Sequence, residues 1–97
     1  MPDTYPARTS GTLAATGQSA AIGPCRATNV SLSGTWVGTA VLQRYINGDW
    51  RAIDGASWTA NIETIKQVGA SPYLTRIDWT RTSGSLVYEI SEGPSSV

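Results

Sequence analysis

Asn47-Gly48 is the two-residue signal that most narrows what this chain can become. It separates two runs with strand character, Thr35-Trp36-Val37-Gly38-Thr39-Ala40-Val41-Leu42-Gln43-Arg44-Tyr45 and Trp50-Arg51-Ala52-Ile53-Asp54. A two-residue hairpin loop favours the type I′ turn, whose central residues both need positive φ, and Asn-Gly tolerates that at least cost. The first run is rich in β-branched and aromatic residues and holds no proline. Trp36, Ala40 and Leu42 fall on one of its faces, and Val37 and Val41 on the other. A strand that is apolar on both sides is expected to be covered on both sides, by its own fold or by another subunit. Gly38 in mid-strand marks a bulge or a close backbone approach.

The same alternation recurs along the chain. Val30 and Leu32 share a face opposite Asn29, Ser31 and Ser33; Trp58, Ala60 and Ile62 share another. Tyr73, Ile77 and Trp79 oppose Arg76 and Asp78, and Leu86, Tyr88 and Ile90 oppose Glu89. Turn signals fall at Gly23-Pro24, Ser33-Gly34, Gly55, Gly69-Ala70-Ser71-Pro72 and Arg81-Thr82-Ser83-Gly84, the last read as a second hairpin loop. About six to eight short strands at this spacing predict an all-β fold, an antiparallel β-sandwich or jelly roll. The 97 residues suffice for one domain. Its expected bounds are 12–91, with a flexible arm over 1–11 and a mobile tail over 92–97. Within 12–22 only one or two weak edge strands are expected.

Charge and cysteine content exclude several classes of function. Seven Lys plus Arg balance seven Asp plus Glu, so no electrostatic drive toward nucleic acid or an anionic membrane exists. Only 14% of residues are charged, a surface suited to being covered by partners. The single cysteine, Cys25, cannot form an internal disulfide, and the N-terminus lacks the pattern of a signal peptide. Folding in a cytoplasm is expected. There is no histidine, which removes His-based nucleophilic systems and His metal sites. Neither a metal nor a cofactor is expected.

Two groups of side chains could still carry function. The carboxylates Asp49, Asp54, Asp78 and Glu89 could pair in a cleft, or in the case of Asp49 and Asp54 touch a surface calcium. A sandwich this small offers little room for a cleft, and Arg44 and Arg51 are expected to form a solvated charge group with Asp49 and Asp54. The tryptophans Trp36, Trp58 and Trp79 read as core in a chain without phenylalanine. Trp50, directly after the turn, reads equally well as exposed. Tyr45, Asn47 and Trp50 are therefore the expected contact surface, and Cys25 a small buried hydrophobe.

The wording Asn29-Val30-Ser31-Leu32-Ser33-Gly34-Thr35-Trp36-Val37-Gly38-Thr39-Ala40-Val41-Leu42-Gln43-Arg44, followed by Asn47-Gly48-Asp49-Trp50, resembles small virion structural proteins of tailed bacteriophages. Those carry an SGT-aromatic-x-GT-x-x-LQRS strand, a glycine turn and a tryptophan, then a YR…TSG element similar to Tyr73, Arg76 and Thr82-Ser83-Gly84 here. Tyr45 stands where a serine is usual, and the turn holds fewer glycines. The resemblance implies a compact β-sandwich or jelly roll in the virion, made in the bacterial host cytoplasm. Its class is a head decoration (cement) protein, a head fibre, or a small tail or neck component. Implied partners are the major capsid protein or other virion proteins, and further copies of the chain in a homo-oligomer such as a trimer. Nucleic acid and membrane are not among them. A carbohydrate-binding module using Trp50 and Trp36 as stacking platforms is the alternative from another class.

Overall fold

The computed structural model describes residues 5–93, which form nine strands and two antiparallel sheets. In chain order the strands are β1 (Arg8–Leu13), β2 (Gly17–Gln18), β3 (Ile22–Cys25), β4 (Ala27–Ser33), β5 (Trp36–Ile46), β6 (Asp49–Trp58), β7 (Ile62–Gln67), β8 (Tyr73–Gly84) and β9 (Leu86–Glu92). The first sheet runs β1-β9-β4-β7; the second runs β2-β8-β5-β6, with β3 also paired to β8. The fold is the expected all-β sandwich, with more strands than the six to eight anticipated.

The Asn47-Gly48 turn is as expected. Ile46 pairs with Asp49 across it, and φ is 55° at Asn47 and 78° at Gly48. β5 is the centre of the second sheet, flanked by β6 and β8. At Gly38 the backbones of β5 and β8 nearly touch. A Cβ there would sit 2.2 Å from the Thr80 carbonyl oxygen and 2.8 Å from Trp79 Nε1, and φ is 147°. The residue exists as glycine because nothing larger fits, which is the close approach its mid-strand position suggested.

The inner faces follow the alternation. Thr28, Val30 and Leu32 of β4 and Leu86, Tyr88 and Ile90 of β9 meet Trp36, Ala40 and Leu42 of β5 and Ile77 and Trp79 of β8. Each fully buried large side chain contributes roughly 1.5–3 kcal/mol. Trp36 and Trp79 meet edge to face at 6.2 Å and 89°, and Trp58 packs half-buried at the rim. One polar bridge crosses the core: the Thr28 and Thr75 hydroxyls are 3.1 Å apart, with Cys25 Sγ 3.3 Å from Thr28. This satisfies hydroxyls that would otherwise be costly to bury.

Four expectations are corrected. Arg81-Thr82-Ser83-Gly84 is no hairpin loop: β8 runs through Gly84, and Ser85 carries the chain across to β9 in the other sheet. Residues 58–62 are not one strand; β6 ends at Trp58, and Thr59 to Asn61 carry the chain between sheets to β7. Residues 8–11, expected in the arm, belong to a strand, because Arg8–Leu13 pairs residue for residue with Ser91–Leu86. The free edge of β9 supplies backbone hydrogen bonds, and those outweigh the low strand propensity of a Ser/Gly-containing segment. Likewise Glu92, placed in the tail, belongs to β9, its amide donating to the Ala7 carbonyl at 2.8 Å. Of the expected arm and tail, residues 1–4 and 94–97 lie outside the described residues.

Candidate functional site

The outer face of the second sheet carries a group of side chains that contact one another. Register sets them in place. Tyr45 of β5 lies directly opposite Trp50 of β6, and Gln43 lies opposite both Ala52 of β6 and Arg76 of β8. Opposed residues in an antiparallel pair point to the same side, close enough for their side chains to touch. Tyr45 and Trp50 accordingly meet at 5.3 Å with planes inclined by 62°. The Arg76 guanidinium lies over the indole of Trp50, 4.3 Å from the ring centroid. Its Nε donates to Gln43 Oε1 at 2.9 Å. Further along the face, Gln18 Nε2 donates to Asp78 Oδ1 at 2.8 Å.

The result is a flat platform with an aromatic pair, a cation held over one ring and an amide fixing that cation. Tyr45 is 42% exposed and Val37, at the far end of β5, 53%. Trp50 is half-buried because Arg76 covers one face of its ring. Of the expected contact residues, the structure unites Tyr45 and Trp50. Asn47 is exposed but sits in the turn outside the stack, where its backbone conformation is its evident role. Arg76 and Gln43 complete the platform and were not anticipated. The outward position of Arg76 was readable from the alternation of β8, but its register against β5 was not.

The other candidates separate. Trp36 is a core residue, its Nε1 donating to Asn61 Oδ1 at 2.7 Å, so it offers no stacking surface. Asp78 and Glu89 point outward from opposite sheets and do not converge. Arg44 does not join a charge group with Asp49 and Asp54. It shares the inward face of Leu42, so its guanidinium turns over the end of the sandwich. There it donates to the Val68 carbonyl and lies 5.2 Å from the centroid of the Tyr73 ring. Asp49 instead accepts from the Trp50 amide at 2.9 Å. Cys25 is buried as expected.

On the first sheet's outer face lies an open groove of about 700 Å³ between Asn29, Ser31, Glu63, Ile65, Glu89 and Ser91. Glu89 is occupied there by an ion pair with Arg8 across β1 and β9. The hydrogen bond from Arg8 to Glu89, then their charge attraction, raises the Arg8 pKa above the ordinary arginine value.

Comparison of the chain with family models, with curated proteins and with solved structures found no match.

Proposed function

We propose that this chain is a bacteriophage virion structural protein of the head decoration (cement) class. It grips the assembled shell through the outer face of its second sheet. The observation that carries the reading is the Tyr45–Trp50–Arg76 platform, ordered by its own contacts before any partner arrives. It is built largely on the hairpin whose wording resembles phage structural proteins. Aromatic and arginine side chains are the residue types that dominate protein contact energies, and a patch fixed in advance loses less entropy on docking. A capsid presents its partner surface many times over. Binding to the assembled lattice alone would stabilise that lattice by mass action. A tail or neck position uses the same chemistry at another place in the particle.

Arg76 weighs against the carbohydrate reading, because it occupies an indole face that a sugar ring would need. Purified particles decide between the classes. Mass spectrometry is expected to find the chain in gradient-purified virions at a stoichiometry fixed by shell symmetry, and cryo-EM to place it on the capsid. Density on the tail or neck would move the assignment there. Absence from particles, together with glycan-array binding abolished by Trp50→Ala, would replace the proposal with the carbohydrate module.

A further inference from the structure

We propose that β1 is an open sheet edge at which two copies of this chain pair antiparallel, about a two-fold axis through Ser10, joining their first sheets into one. This inference rests on the fold alone and stands apart from the virion reading.

Among the described residues, β1 is the unguarded one of the sandwich's edges. β2 is two residues long, and β3 contains Pro24. β6 carries Asp49, Arg51 and Asp54, and its ladder with β5 is interrupted between Ala52 and Ser57. β7 turns Lys66 toward the inter-sheet side, with its Nζ near Gly55 of β6. Short edges, proline, bulges and inward charges are the devices that keep sheet edges from pairing. β1, Arg-Thr-Ser-Gly-Thr-Leu, has none of them after Arg8, and its register with β9 is unbroken over six residues.

The backbone bonds fix which groups are free. The Ala7 carbonyl accepts from the Glu92 amide, and that pair continues the β1–β9 register. In an antiparallel ladder, residues alternate between turning both backbone groups toward the partner strand and turning both away. Thr9, Gly11 and Leu13 therefore face β9, while Arg8, Ser10 and Thr12 aim their N–H and C=O outward. The same alternation turns the Pro6 carbonyl away from β9, where it accepts from the Gly23 amide at 3.1 Å. Beyond that point, among the described residues, β1 is paired with β9 alone, at the end of its sheet.

The occupant follows from self-complementarity. Paired residues must share a sheet face, and Arg8, Ser10 and Thr12 all point outward, opposite Ser91, Glu89 and Val87. Setting Ser10 opposite Ser10 of a second copy places Arg8 opposite Thr12 at both ends. All three outward residues of each copy then pair, making about six new backbone hydrogen bonds. Centring on Gly11 instead pairs only Ser10 with Thr12 and makes about four. No like charges face each other, since the two Arg8 side chains stand about 13 Å apart along the strands.

Cysteine placement tests the register in the full chain. Across a hydrogen-bonded pair the Cα atoms are about 5.5 Å apart, within disulfide reach. Ser10→Cys is thus expected to cross-link under mild oxidation to a species of twice the 10.3 kDa chain mass. Thr12→Cys, about 13 Å from its counterpart, is expected to remain monomeric on denaturing gels. Hydrogen exchange supplies the second readout. The amides of Arg8, Ser10 and Thr12 should gain protection as wild-type concentration rises, while those of Thr9, Gly11 and Leu13 stay protected throughout. Cross-linking at both positions or neither, or unprotected Ser10 in a solution that sediments as dimer, overturns the proposal.

Discussion

Gly38→Ala should be among the most damaging one-carbon changes available to this protein. The added methyl would meet the Thr80 carbonyl oxygen at 2.2 Å and Trp79 Nε1 at 2.8 Å. Neither can yield easily: the first is backbone in the neighbouring strand, the second a fully buried ring. A φ of 147° adds a second penalty. Holding a non-glycine residue in such a region costs about 1–3 kcal/mol, and forcing atoms into a packed core typically about 1–3 kcal/mol more. The sum, about 2–6 kcal/mol, is a large share of the roughly 5–15 kcal/mol that holds a domain together. Gly48→Ala is the control. Its φ of 78° is also strained, but nothing lies within 4 Å of the new carbon, so only the backbone penalty of about 1–2 kcal/mol applies. Urea unfolding followed by tryptophan fluorescence measures both. At an m-value of roughly 1–3 kcal/mol per molar, the Gly38 variant should lose at least about 0.7 M of midpoint or fail to fold. Equal midpoints for the two variants would refute the close approach as the reason for glycine at position 38.

The core hydroxyl bridge should behave as a coupled pair. Thr28→Val and Thr75→Val should each cost about 1–3 kcal/mol, and the double variant less than their sum, in a denaturation cycle. Trp50→Ala should destabilise by about 1–2 kcal/mol through loss of the Tyr45 edge contact and the Arg76 stack, and Arg76→Gln on that background should cost little more. Cys25, buried between the sheets, should react with a thiol reagent only as fast as the chain opens, so labelling should accelerate in step with unfolding. Because Glu89 raises the Arg8 pKa above the already high arginine value, the contact is fully present at all ordinary pH and is lost only in strong alkali. Titration of Arg8 should therefore leave stability unchanged between pH 6 and 9, and Arg8→Gln should not alter the shape of the pH profile there.

The sequence showed local geometry and hid long-range pairing. Asn47-Gly48 identified its hairpin because a type I′ turn makes demands that few dipeptides meet. The buried faces of β4, β8 and β9 followed from alternation, since one-sided burial imposes a period of two. Thr82-Ser83-Gly84 misled for a physical reason. A glycine-containing break looks the same whether the chain returns beside itself or crosses to the facing sheet, and the difference lies in which strand edge is free to receive it. β1 was hidden because its strand character comes from the edge that β9 offers rather than from Thr9, Ser10 or Gly11. Half of the platform was legible. Tyr45 and Trp50 are fixed by the turn between them, but Arg76 arrives through the register of β5 against β8, which leaves no local mark.

Edge pairing and the platform are compatible, and their geometry links them. A two-fold axis through paired β1 strands runs perpendicular to the first sheet and maps each outer face onto the same side of the dimer. Both second sheets then lie on the opposite side, so two Tyr45–Trp50–Arg76 platforms face one way. A repeating surface could engage both at once, turning the second contact into an intramolecular event with a gain of about 10²–10⁴ in avidity. Ser10→Pro removes an outward amide while sparing the bonds to β9, since the Ser10 N–H is turned away from that strand. On the proposed shell it should weaken binding by a factor in that range while leaving the platform and its single-site affinity intact. Trp50→Ala should reduce both. Shell binding indifferent to Ser10→Pro, measured beside a variant that is monomeric by sedimentation, would show that each copy docks alone.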